Sequence, residues 1–109
     1  MAEQAKMERH PETVLVRGEH AARGDEGEKL LVNGRSMALR LWERETAGTA
    51  KPEHTNPYEY VAYVIAGALR VTINNHSFEV RQGDSYCVPA GEPYALEILQ
   101  EATVIEATS

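Results

Sequence analysis

An all-β barrel or sandwich is the fold class this sequence predicts, on three observations. Short runs rich in Tyr, Val and Ile recur along the chain, as in "YEYVAYVIAGALRVTI" at 58–73, and such residues suit a pleated, half-buried surface. Turn formers punctuate those runs at Gly67, Asn74-Asn75, Gly83, Pro89 and Gly91. No stretch carries a convincing helical period, and short strands divided by turns close into barrels or sandwiches. The 109 residues suffice for one domain with one core. The expected division is a polar N-terminal arm over 1–13 and a single β-barrel domain over 14–109.

"TVLVRG" (13–18) has β-type composition and ends at a glycine, so a short strand is expected. Residues 19–34 mix charge with glycine and read as an irregular connection, with a strand near Lys29–Val32. "SMALRLWERE" (36–45) alternates: Met37, Leu39 and Leu41 fall on one face, Ala38, Arg40, Trp42 and Arg44 on the other. Period two argues a strand with one side on a core. Trp42, on the arginine side, is either part of a second core face or an anchor at a dimer interface.

Residues 46–57 hold a glycine and two prolines and cannot be helical throughout. Gly67 divides 58–73 into two strands or bends one. Asn74-Asn75 can supply the positive φ of a tight hairpin turn. Gly83-Asp84 marks another turn, with the Asp84 side chain stabilising it. A strand over "SYCV" ends at Pro89, with Cys87 expected as a small buried residue. Two last strands are expected near 94–99 and 102–107.

A formal net charge of −6 argues against nucleic acid, which needs a basic stripe. No apolar run approaches a membrane span, and the polar N-terminus lacks a secretory signal, so a cytoplasmic location is expected. The single Cys87 allows no intrachain disulfide and no cysteine-rich zinc site.

Two gapped patterns stand in order. The first is Gly48, five residues, His54-Thr55-Asn56, three residues, Tyr60, six residues, Gly67. The second is Gly83, five residues, Pro89-Ala90-Gly91, two residues, Tyr94. In their spacing they resemble the paired motifs of the cupins, small barrels of the jelly-roll or double-stranded β-helix type. The resemblance spans roughly residues 36–106 and implies that fold. A homodimer fits the resemblance, and the N-terminal arm is expected to cross to a second subunit, since open barrel edges are often paired that way. The turn and frame residues of the pattern are intact. At the positions where the family usually presents His, His, Glu or Gln, and His, this chain has His54, Asn56, Tyr60 and Tyr94.

That substitution shapes the functional reading. In a regular strand His54, Asn56, Tyr58 and Tyr60 share one side, while Glu59 points the other way. Zinc, iron, nickel and copper favour imidazole with carboxylate support. One imidazole, a neutral amide and phenols of pKa near 10 form a poor set at neutral pH. A bulge near Pro57 that turned Glu59 inward would give His54 and Glu59 as candidate ligands for a divalent transition metal, held weakly or not at all.

The same groups suit a small polar molecule such as a sugar, an acid or a phenolic compound, with His54, Asn56, Tyr60 and Tyr94 as the ligand-binding candidates. His54 is also the candidate acid or base. Three readings stay open: a binding module, a cupin enzyme of the oxygenase, isomerase or lyase class, and a structural dimeric barrel filled by its own side chains.

Overall fold

The computed structural model describes residues 14–109, so the arm over 1–13 lies outside the described residues. The strands in chain order are β1 (Ala22–Arg23), β2 (Lys29–Asn33), β3 (Ala38–Glu45), β4 (Ala50–His54), β5 (Tyr60–Ile73), β6 (His76–Arg81), β7 (Ser85–Val88) and β8 (Tyr94–Thr108). All pairings are antiparallel.

The long strands β5 and β8 form the spine, paired from Tyr60↔Thr108 to Ile73↔Tyr94. Each has two partners on its other edge. β5 carries β7 along Tyr60–Tyr63 and β6 along Ala68–Ile73. β8 carries β4 along its first half and β3 along its second, with β2 and β1 continuing outward from β3. Both spine strands therefore run from one layer into the other, which is the jelly-roll arrangement. One buried cluster joins the layers, drawing Tyr60 and Val64 from the first half of β5, Leu69 and Val71 from its second, and Ile98 and Val104 from β8. Leu69, Val64, Val71 and Val88 are almost fully buried, and each such side chain contributes roughly 1.5–3 kcal/mol.

The bend of the spine explains Gly67. Its φ is +87°, and a Cβ there would overlap the Glu101 carbonyl and the Ala102 backbone. The β5–β8 register shifts around this point. β5 is thus one bent strand, and the two strands expected over 94–107 are the single β8. At the hairpin, Asn74 and Asn75 take φ of 51° and 70° between the paired Ile73 and His76, the double positive φ of a two-residue turn. Asp84 stabilises its turn by accepting a hydrogen bond from the Arg81 N–H at 2.8 Å.

Three local expectations are corrected or made specific. Residues 14–17 join no strand, and Gly18–His20 form a 3-10 turn. Val14 and Leu15 stay exposed; propensity without a ladder partner does not hold a strand. Residues 46–57 are not helical, as expected, and the strand β4 forms there despite Pro52, which lies between the paired Lys51 and His54 at a register irregularity. Among the described residues β4 pairs only β8, and an edge position tolerates the missing N–H.

The third concerns β3, where the inward side is now specified. Its inward side is that of Arg40 and Trp42, whose cross-strand partners Glu106 and Val104 are buried. Trp42 packs against the core cluster. Leu39 and Leu41 face outward, in rows with Ala107 and Ile105 of β8 and Val61 and Tyr63 of β5. Met37 precedes β3 and is exposed.

Candidate functional site

A cavity of about 660 Å³ opens inside the barrel. β4 and the segment after it bring His54, Asn56 and Tyr58 to its wall, β5 brings Tyr60, and β8 brings Tyr94. The four ligand-binding candidates therefore line one space. Glu59 is not on that wall. Its backbone N–H donates to the Ser109 hydroxyl at 3.1 Å, and its carboxylate accepts from the Cys87 thiol at 3.6 Å.

The wall groups are linked. His54 pairs with Tyr94 across β4 and β8, and their rings lie 4.5 Å apart between centroids. His54 Nδ1 lies 3.1 Å from the Pro52 carbonyl. A carbonyl can only accept, so in the neutral ring this contact places the proton on Nδ1 and leaves Nε2 as an acceptor. Asn56 donates from Nδ2 to the Tyr94 hydroxyl at 3.0 Å. The Tyr60 and Tyr86 hydroxyls meet at 3.4 Å. Burial pushes the Tyr60, Tyr86 and Tyr94 phenols above their ordinary pKa, so all three stay neutral at physiological pH.

Opposite them stands a charged wall that the linear pattern did not single out. Arg40 meets Glu106 at 2.7 Å, with the carboxylate almost wholly buried. Burial raises the Glu106 pKa against the pull of Arg40 and a Trp42 hydrogen bond. Burial works against the Arg40 charge, but Tyr58 and Glu106 outweigh it and its pKa is raised. Arg40 also donates to the Tyr58 hydroxyl at 3.4 Å. Its Nε is buried with no hydrogen-bond partner among the described residues. Nearby, the Lys51 ammonium sits 3.4 Å from the centre of the Trp42 ring.

A signal for these residues was present in the sequence. Ala102, Val104, Glu106 and Thr108 share one face of β8, and a lone acid on an otherwise inward face marks a buried charge in need of a partner. Arg40 sits opposite it on β3.

The donor set does not fit a tightly held divalent metal. His54 is the one imidazole on the wall. Asn56 is neutral, and the phenols resist the deprotonation that binding requires. Glu59 stands apart from His54, and no group of three or more His, Cys, Asp or Glu side chains converges among the described residues. Cys87 is exposed rather than buried. Partial desolvation first, and then the neighbouring Glu59, raise its thiol pKa, which disfavours the nucleophilic thiolate.

The family model for the cupin domain matches residues 41–106. The chain belongs to the cupin family. No curated protein matches its sequence. Among solved structures, an RmlC-like cupin from Shewanella frigidimarina superposes with a TM-score of 0.75 at 19% identity, covering 87% of this chain and 88% of the other. KdgF from Halomonas sp. gives 0.72 at 18% identity, covering 87% and 90%. A salicylate 1,2-dioxygenase from Pseudoaminobacter salicylatoxidans, in its adduct with gentisate, gives 0.69 at 20% identity over 81% of this chain and 26% of that one. At these identities the likeness is one of fold. No helix among the described residues is long and apolar enough to cross a membrane.

Proposed function

We propose that this cupin domain binds a small polar organic molecule in the barrel cavity without a tightly bound metal. The observation that carries the reading is an open cavity of about 660 Å³ on whose wall His54, Asn56, Tyr60 and Tyr94 converge. Asn56, Tyr60 and Tyr94 supply donors and acceptors on apolar rings, and His54 adds an acceptor nitrogen at the mouth. A barrel serving only as a scaffold would fill this volume with its own side chains. That the dioxygenase neighbour was solved with gentisate, a small polar compound, supports the same use of the fold.

A second reading, an enzyme with His54 as acid or base, is supported by the free Nε2 left by the Pro52 contact. Homodimerisation is also proposed. It is supported by the outward apolar side chains Val61, Tyr63 and Ile65, each close to half exposed. A cytoplasmic location completes the proposal.

Metal analysis of untagged protein tests the first reading against a metal enzyme. The expected result is a substoichiometric metal content, with ligand-induced thermal stabilisation surviving chelation and lost in His54→Ala. A stoichiometric transition metal whose removal abolishes ligand binding would overturn it.

A further inference from the structure

The charge and aromatic character of the cavity narrow the class of its ligand; the step rests on the binding function proposed above. Five carboxylates, of Asp25, Glu26, Glu28, Glu45 and Glu106, lie on its wall or rim, against the two cations Arg40 and Lys51. Arg40 is engaged by Glu106. The remaining carboxylates would repel a second anion. Trp42 and four tyrosines, Tyr58 among them, line the cavity, and aromatic faces attract positive charge. Arg40 itself lies over the Tyr58 ring, 5.8 Å from its centre.

The structure also shows what this end of the cavity accepts. The Lys51 ammonium stands on the Trp42 face, 3.4 Å from the ring centre. It lies 3.5 Å from Glu26 and 3.7 Å from Glu45. An aromatic face flanked by carboxylates is the chemistry that recognises organic ammonium groups. Here the position is held by the tip of a flexible side chain on the edge strand β4, which can swing away.

We infer that the cavity takes a small organic ammonium compound whose cationic head replaces the Lys51 ammonium over Trp42, with Lys51 acting as a built-in competitor. A cationic head gains the ring face and the Glu26 and Glu45 carboxylates together. A neutral sugar gains neither, and an acid meets like charge.

Trp42 is the sole tryptophan, so its fluorescence reports the site directly. Full-length protein and its Lys51→Met variant are titrated with tetramethylammonium chloride, with sodium chloride and sodium acetate as matched ionic controls. The expected result is a saturable change with tetramethylammonium only, at a concentration at least about tenfold lower in Lys51→Met. Adding Glu45→Gln to that variant weakens binding severalfold. Lys51→Gln serves as the second variant should Lys51→Met melt early, and it carries the same expectation. Absence of a saturable tetramethylammonium response, or equal affinity in wild type and both Lys51 variants, would overturn the inference. Stabilisation by neutral or anionic compounds that His54→Ala removes, without any response to tetramethylammonium, would overturn the cation assignment and leave the binding function standing. No stabilisation by any class of compound would overturn both.

Discussion

β3 and β5 flank the second half of β8 and face the same interior, yet they present opposite chemistry to it. β5 sends Tyr60, Ala62 and Val64 inward, all buried, and leaves Val61, Tyr63 and Ile65 half exposed outside. β3 sends Arg40 and Trp42 inward and turns Leu39 and Leu41 out. The difference shows that an alternating pattern identifies two faces of a strand without saying which is inside. Where a cavity is kept open, the inward face can be the charged one, because the charge finds a partner there. On β3 that partner is Glu106, directly across in register.

The largest effect is expected from breaking this pair. Arg40→Ala leaves the buried Glu106 without its cation and should cost about 4 kcal/mol of unfolding free energy. The double variant Arg40→Met/Glu106→Leu should recover most of that loss. The deficit should depend on pH in a defined direction. The folded-state pKa of Glu106 is already raised by burial, and losing Arg40 raises it further. A carboxyl whose pKa is higher folded than unfolded costs stability as pH rises through that interval. The Arg40→Ala deficit should therefore be greatest at neutral pH and shrink towards acid, as chemical denaturation across pH would show.

Next comes the bend of β5. Gly67→Ala forces a side chain into positive φ and against the Glu101 carbonyl, and should cost about 3 kcal/mol in the same assay. The two faces of β3 are then compared directly. Trp42→Ala should cost about 3 kcal/mol and Leu39→Ala about 1 kcal/mol; equal losses would mean that β3 is turned the other way. The smallest effect on the fold is expected on the outer side of β5. Tyr63→Lys should change monomer stability by about 0.5 kcal/mol or less. In sedimentation it should convert a dimer to a monomer.

Much of this architecture was legible in the residues. The Gly67 bend, the Asn74-Asn75 hairpin and the Asp84 turn each follow from a backbone demand that few residue types meet, so local sequence suffices. β4 was hidden because Pro52 suppresses strand propensity while an edge position tolerates it. The stretch over 14–17 misled for the opposite reason, having propensity without a ladder partner among the described residues. At the site, the spacing around His54 pointed to the residues that line the cavity. Arg40, Lys51 and Glu106 were harder to see because they lie on three separate strands and become one wall only when β8 bridges β3 and β4. The orientation of β3 was equally non-local, since Leu39 and Leu41 look like core residues until Glu106 is placed opposite Arg40.

The most direct test of an organic-ligand cavity is the melting temperature of chelator-treated protein against a panel of small cationic, neutral and anionic compounds. A binder present at about a hundred times its Kd should raise Tm by on the order of 10 °C, and Tyr94→Phe with His54→Ala should abolish the rise. A panel that leaves Tm unmoved until a transition metal is restored would contradict it.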